Sequence, residues 1–267
     1  MSIQLIESLD DPRLAPYRSL KATNDTRWTG RFVAEGDKLV RRLLASHFRV
    51  HSMLASVRYF AEMQALAPPD AELLVVDDAW METIVGFNFH RGVLACAHRG
   101  ARIELVPWLR GVLGDCTLVV CPDVQDPENL GSILRTASAL GVSGVILGPN
   151  CCDPLSRRVL RVSMGAALEI PVIECPDLET ALRLVQHEQH VELWATVTDR
   201  DAEPLVERPR PPRLAVLVGS EGHGLAPHWV EACDRRVTIP MREGIDSLNV
   251  AVATGIVLYQ VMTAKVV

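Results

Sequence analysis

No run in this chain approaches the ~18 uncharged apolar residues of a membrane-spanning helix, so a transmembrane segment is not expected. The opening MSIQLIESLDDPRL lacks the basic and apolar regions of a secretory signal. There is no Cys-x-x-Cys and no Cys/His spacing of a zinc site, and the 7 cysteines, an odd number, argue against a disulfide framework. The vicinal pair Cys151–Cys152 reads as buried thiols rather than a redox centre. These absences predict a reduced, cytoplasmic protein with no membrane partner and no metal. Internal repeats are absent. A surplus of positive charge is absent too: the formal net charge is −6, which taken alone speaks against nucleic acid.

What is present starts with apolar content. At 267 residues and 48% hydrophobic, the chain can form one or two well-packed domains. The charge is uneven. Residues 1–60 carry ten Lys and Arg (Arg13, Arg18, Lys21, Arg27, Arg31, Lys38, Arg41, Arg42, Arg49, Arg58) against six acids, so a +4 segment sits on a remainder of −10. Phosphate contact depends on local charge, because each cation neutralises its own phosphate. A solvated helix face would account for the surplus equally well.

The first hundred residues read as α/β. The stretch F32-V-A-E-G-D-K-L-V-R-R-L-L-A-S46 begins as a strand and becomes an amphipathic helix, with Leu39, Val40, Leu43 and Leu44 on one face. Short β candidates follow at 50–54, 72–76 and 92–97, and 98–109 is a candidate linker. From Asp115 strands and helices alternate. Strands are expected at 117–122, 144–147, 170–173, 191–196, 214–219 and 236–239. Helices are expected at 129–140, 153–167, 177–189, 226–233 and 247–264. Short apolar strands separated by helices predict a parallel sheet covered on both faces. Asp153-Pro154 has the form of a helix N-cap followed by proline, and Gly141 that of a C-terminal glycine. The Pro- and charge-rich stretch 199–213 reads as an exposed loop. Residues 248–262 are apolar on almost every face, which predicts a helix buried on all sides, within a domain or against another subunit.

Three stretches follow predicted strands, where ligands collect in open α/β sheets. In D123-V-Q-D-P-E-N-L-G-S-I-L-R135, Asn129 can cap the helix, Gly131 opens its first turn, and Arg135 lies six residues on. As a bare pattern this is only a capped helix with a surface arginine. In L217-V-G-S-E-G-H-G-L225, three glycines permit close backbone approach. There is no Gly-Lys-Ser/Thr and no G-x-G-x-x-G, so neither a P-loop nor a dinucleotide fingerprint is present. Glu221 among the glycines suits hydroxyls or amines better than phosphate. In the third stretch a polar loop, Arg242 to Ser247, feeds Ser247, Leu248 and Asn249 into the apolar C-terminal helix, whose first amides can meet a ligand's polar edge.

Together, in this order and at these separations, the three stretches resemble the signature motifs of the SpoU/TrmH branch of the SPOUT RNA methyltransferases, over residues 117–262. R31-F-V-A-E-G36 and H90-R-G-V-L-A95 resemble, more loosely, the small substrate-binding domain in front of many members. The resemblance implies an α/β fold: a C-terminal trefoil-knotted SPOUT domain with a parallel sheet (109–267), preceded by a small α/β, L30e-like, RNA substrate-binding domain with its linker (1–108). It also implies a homodimer and methyl transfer from S-adenosylmethionine to a ribose 2′-hydroxyl of structured RNA, with ribosomal RNA ahead of transfer RNA. Matched residue by residue, Arg135, Asn129, Glu221, Ser247 and Asn249 form the catalytic set, and Gly219, Ile239, Met241 and Leu248 the cofactor contacts. No metal is implied. Arg135 is expected to orient the hydroxyl and hold a phosphate rather than to act as a base. His223 stands where relatives often carry Lys, and Arg91 where they carry Gln. Arg157, Arg158 and Arg161 can share a helix face towards RNA. Two other readings compete: a non-catalytic RNA-binding assembly factor, and a dinucleotide oxidoreductase, which the absence of a glycine-rich turn after 117–122 nearly excludes.

Overall fold

A seven-stranded sheet whose neighbours all run parallel organises the second half of the chain. The computed structural model of the protein describes residues 2–18, 20, 26–87, 89, 92–199, 201–207, 209–244 and 246–264. It divides into two compact units, Met1–Ala101 with Asp153–Glu169, and Arg102–Cys152 with Ile170–Val267. Against the expected division between 108 and 109, the helix Leu105–Arg110 packs in the second unit's core, and 153–169 groups with the first. No helix among the described residues is long and apolar enough to cross a membrane.

The first unit holds β1 (Ser2–Leu5), β2 (Arg31–Glu35), β3 (Val50–Ser56), β4 (Glu72–Val76) and β5 (Val93–His98) in the order β1-β4-β3-β5-β2. β5 runs antiparallel to both β2 and β3, while β1, β3 and β4 are parallel. Its helices are α1 (Thr26–Thr29), α2 (Asp37–Ala45), α3 (Phe60–Leu66), α4 (Asp78–Val85) and, from the returning segment, α7 (Arg157–Val162). The expected stripe of α2 is realised: Leu39, Val40 and Leu43 are buried. Tyr17, fully buried, shares a 2.8 Å hydrogen bond with Ser52, and burial holds its phenol protonated well above the usual range. The helix expected from 153 starts later, at 157, with Ser156 as its N-cap. Asp153 instead accepts from the Leu155 amide (2.9 Å) and pairs with Arg99 at 2.7 Å. Arg91 lies outside the described residues.

The second unit holds β6 (Cys116–Cys121), β7 (Gly144–Leu147), β8 (Val172–Glu174), β9 (Glu192–Thr196), β10 (Glu203–Pro204), β11 (Arg213–Leu217) and β12 (Arg235–Thr238), in the order β10-β12-β9-β11-β6-β7-β8. β6 and β7 are buried at every position, as central strands of a sheet covered on both faces must be. Leu118, Val120, Ala215 and Leu217 point to one face, against α5 (Leu105–Arg110) and α8 (Leu178–Gln189). The alternating residues Val119 and Val216 point to the other face. There α6 (Pro127–Ala139) and α10 (Val250–Thr263) pack on one another. The short α9 (Pro227–Glu231) completes the set. The stretch read as an exposed loop after 199 contributes the edge strand β10, which the prolines disguise.

The C-terminal helix departs from expectation. Thr254, Val257, Leu258 and Val261 are buried, but Val252, Ile256 and Tyr259 are 54%, 41% and 63% exposed. Within this chain α10 therefore has one covered face and one open apolar face.

Candidate active site

The cavity that concerns function, of about 530 Å³, opens where β9, β11 and β12 end, at the C-terminal edge of the parallel sheet. Gly219, Glu221, Ile239, Met241, Ser247, Leu248 and Asn249 all line it. Two stretches separated by about twenty residues are thus brought together by the parallel crossover between β11 and β12.

Each motif is held by local chemistry. In the loop after β11, the Ser220 amide donates to the Gly224 carbonyl (3.0 Å) and the Gly224 amide returns a bond to Ser220 (3.2 Å). This folds the loop back on itself so closely that a Cβ on Gly219 would lie 2.4 Å from the Gly224 carbonyl carbon. Glycine at 219 is a steric requirement, and the bare backbone it leaves is open to a ligand. After β6, Asp126 caps α6 by accepting from the Glu128 amide (2.8 Å), with Pro127 at the first helical position. The capping role expected of Asn129 is thus taken by Asp126, and Asn129, 7% exposed, is released for other bonds.

Those bonds connect all three motifs. Asn129 Nδ2 donates to Glu221 Oε1 (3.0 Å), which also accepts from the Asp126 amide (3.3 Å). Asn249 Nδ2 donates to Asn129 Oδ1 (2.9 Å). Asn249 Oδ1 accepts from the amides of Ala251 (2.9 Å) and Val252 (3.2 Å), so the residue that reaches Asn129 is also the N-cap of α10. The expected start of that helix at Ser247 moves to 250, and Ser247 and Leu248 stay exposed in the turn before it. The chain Asn249–Asn129–Glu221 fixes three loop ends in one geometry.

Arg135 is not brought to the cavity of its own chain. It stands six residues beyond Asn129 on α6, about 9 Å along the axis, exposed and with no hydrogen bond or ion pair among the described residues. Sequence reasoning missed Asp126 and the loop after β9, where Thr196, Thr198 and Asp199 line the same cavity. The rule that ligands collect at strand ends, applied to β9, would have found that loop. Beneath the site, Cys151 Sγ donates to the Cys121 carbonyl (3.0 Å) and accepts from the Val124 amide (3.3 Å). Burial pushes the Cys121 thiol well above its ordinary range, so it stays a protonated packing group. All seven cysteines are free thiols. Among the described residues no group of three or more His, Cys, Asp or Glu could hold a metal ion.

Fold and site define an α/β protein with a ligand cleft at the carboxyl edge of a parallel sheet, built from three hydrogen-bonded loops. The profile of the SpoU rRNA Methylase family matches residues 117–259. An uncharacterized tRNA/rRNA methyltransferase of Mycobacterium tuberculosis is 38% identical over 97% of this chain and 92% of its own. The 23S rRNA (guanosine-2′-O-)-methyltransferase RlmB of Escherichia coli is 34% identical over 66% of this chain and 72% of its own. The crystal structure of an AdoMet-bound rRNA methyltransferase from Sinorhizobium meliloti superposes with a TM-score of 0.81 at 26% identity, covering 97% of each chain. The chain belongs to the SpoU methylase family.

Proposed function

We propose that this protein transfers a methyl group from S-adenosylmethionine to a ribose 2′-hydroxyl of structured RNA, ribosomal RNA ahead of transfer RNA. The observation that carries the reading is the Asn249–Asn129–Glu221 hydrogen-bond chain beside the 530 Å³ cavity. The comparison with RlmB, named for 2′-O-methylation of guanosine in 23S rRNA, supports the substrate class. The cavity fits the cofactor: Gly219, which the close approach of Gly224 requires to be glycine, lines it, and Ile239, Met241 and Leu248 add apolar wall beside main-chain polar groups. When bound, S-adenosylmethionine supplies a methyl group on positively charged sulfur. Glu221, positioned by Asn129, and the polar turn of Ser247 and Asn249 hold the ribose hydroxyls. Arg135 clamps the adjacent phosphate and orients the attacking hydroxyl. Positioning supplies most of the catalysis in such a displacement.

The open stripe of α10 supports a homodimer. Val252, Ile256 and Tyr259 lie on one helix face, and a Cβ on Gly255 would meet Thr136 Cγ2 at an ordinary 3.7 Å, so nothing inside this chain demands glycine there. In the dimer the partner subunit's Arg135 completes the cavity that its own chain leaves without an arginine. The family's trefoil knot and L30e-like front domain belong to the same reading, as does a cytoplasmic location, which the seven free thiols favour.

The test is tritium transfer from labelled S-adenosylmethionine to total RNA of a strain lacking the protein, with size fractionation and alkaline mapping. Alkali-resistant label at one site of a ribosomal RNA is expected. Label in the small-RNA fraction moves the substrate to transfer RNA, and no label with the cofactor bound sinks the enzymatic reading. Separately, Gly219→Ala is expected to weaken S-adenosylmethionine binding roughly 10- to 100-fold, the effect of about 1–3 kcal/mol of overpacking. Calorimetric titration checks this, and wild-type affinity would remove Gly219 from the cofactor contacts.

A further inference from the structure

The two motifs of the front unit, R31-F-V-A-E-G36 and the stretch around Gly92, have no part in the methyl-transfer cavity. They meet elsewhere. The Gly36 amide donates to the Val93 carbonyl (2.9 Å), and Glu35 and Gly36 line a second cavity of about 630 Å³ within the first unit. Lys38, Tyr59, Arg158 and Arg161 line it as well. Gly92 sets the tyrosine. Its φ is +61°, and a Cβ there would lie 2.2 Å from Tyr59 Cε2, so only glycine lets this backbone rest against the ring edge. The Arg58 guanidinium stands 5.8 Å from the ring centroid.

Of the two acids on the wall of this cavity, Glu35 is engaged by Arg157 at 2.6 Å, with Arg161 at 3.9 Å, and Asp37 by Arg41 at 2.7 Å. Lys38 is exposed and forms no ion pair among the described residues, and Arg158 is exposed beside it. Arg157, expected to face RNA with Arg158 and Arg161, is instead turned inward: it is also stacked over Phe87, 4.1 Å from the ring centroid. Met164, at φ +53°, closes one side with an apolar group held in a conformation that only a determined surrounding maintains.

We propose that this cavity binds one unpaired nucleotide of the RNA substrate, with its base beside Tyr59 and its phosphate on Lys38 and Arg158. The inference rests on the RNA-directed reading above. An aromatic side chain next to cations is the chemistry that captures a splayed-out base and its phosphate. The volume falls within the roughly 300–1,000 Å³ of small-ligand sites, and a duplex does not enter a cavity of that size. A chain of net charge −6 thereby concentrates its RNA contact in a built site rather than over a basic surface.

The test uses the full-length protein and fluorescein-labelled hexauridylate and hexaadenylate RNAs, read by anisotropy at several salt concentrations, with hydrogen–deuterium exchange of first-unit peptides as the control for folding. Lys38→Ala/Arg158→Ala is expected to weaken binding by a factor of about 10 or more and to flatten the log–log salt slope by about 0.7, the loss of one neutralised phosphate. Tyr59→Ala is expected to lose roughly tenfold, and Tyr59→Phe to stay within about threefold of wild type. Wild-type affinity in both the double variant and Tyr59→Ala overturns the proposal, as does an absence of oligonucleotide binding by the wild-type protein. Failure of the wild-type protein to methylate ribosomal RNA while it still binds the oligonucleotides would count against the enzymatic reading alone.

Discussion

Arg135→Ala is expected to lower methyl transfer roughly 10²–10³-fold while leaving S-adenosylmethionine affinity unchanged, because the arginine acts through positioning and charge and does not line the cofactor cavity. The larger consequence concerns which subunit supplies it. If each active site takes Arg135 from the partner subunit, a mixed dimer of one Arg135→Ala chain and one Gly219→Ala chain has one damaged and one intact site. The Arg135→Ala chain still binds the cofactor, and the Gly219→Ala chain still presents its arginine. Such heterodimers, isolated with two different affinity tags and assayed at S-adenosylmethionine well below the wild-type Kd, are expected to regain about half the wild-type rate, although at that concentration each parent homodimer is slower by about tenfold or more. If Arg135 served its own cavity, both sites of the heterodimer would carry one lesion and no activity would return. The outcome therefore separates a shared site from two independent ones. A monomeric wild-type protein in sedimentation would sink the shared-site reading outright.

The parallel sheet was legible in the sequence because its central strands are short apolar runs separated by helices. Gly144–Leu147 is found at the expected bounds, and the others lie within about two residues. The three site stretches were legible because glycine, proline and polar residues follow those strands directly. The cap of α6 was misread, since Asp126 and Asn129 both suit an N-cap and only the backbone decides between them. β10 was hidden by proline, and the linker reading of 98–109 overlooked that Leu105 and Leu109, four apart, can bury one face of a short helix. The all-round apolar character of 248–262 predicted burial on every face, and sequence cannot say whether the covering surface lies in the same chain. Here it covers Val257, Leu258 and Val261 and leaves Val252, Ile256 and Tyr259 open. The fate of Arg157 was out of reach for a similar reason: i, i+4 spacing with Arg161 suggests a shared exposed face, whereas Glu35, far away in sequence, claims both.

That claim leads to the second large effect. Glu35 is 4% exposed, and its carboxylate meets Arg157 Nε at 2.6 Å while the guanidinium stacks over Phe87. Removing one partner of a buried pair strands the other charge, at a cost of about 3–5 kcal/mol. Glu35→Ala is therefore expected to destabilise the first unit by about that amount, moderated by the 3.9 Å proximity of Arg161 and by the cation–π contact, which supports the guanidinium in either case. Replacing both partners, as in Glu35→Leu/Arg157→Met, leaves no stranded charge and is expected to recover most of the loss. Urea unfolding followed by hydrogen–deuterium exchange of first-unit peptides measures this, with S-adenosylmethionine affinity reporting separately on the second. The loss should persist in high salt, since a pair this buried is little screened. A Glu35→Ala protein within about 0.5 kcal/mol of wild type, a change typical of surface positions, would show that the pair is solvated and that Arg157 is free to face RNA after all.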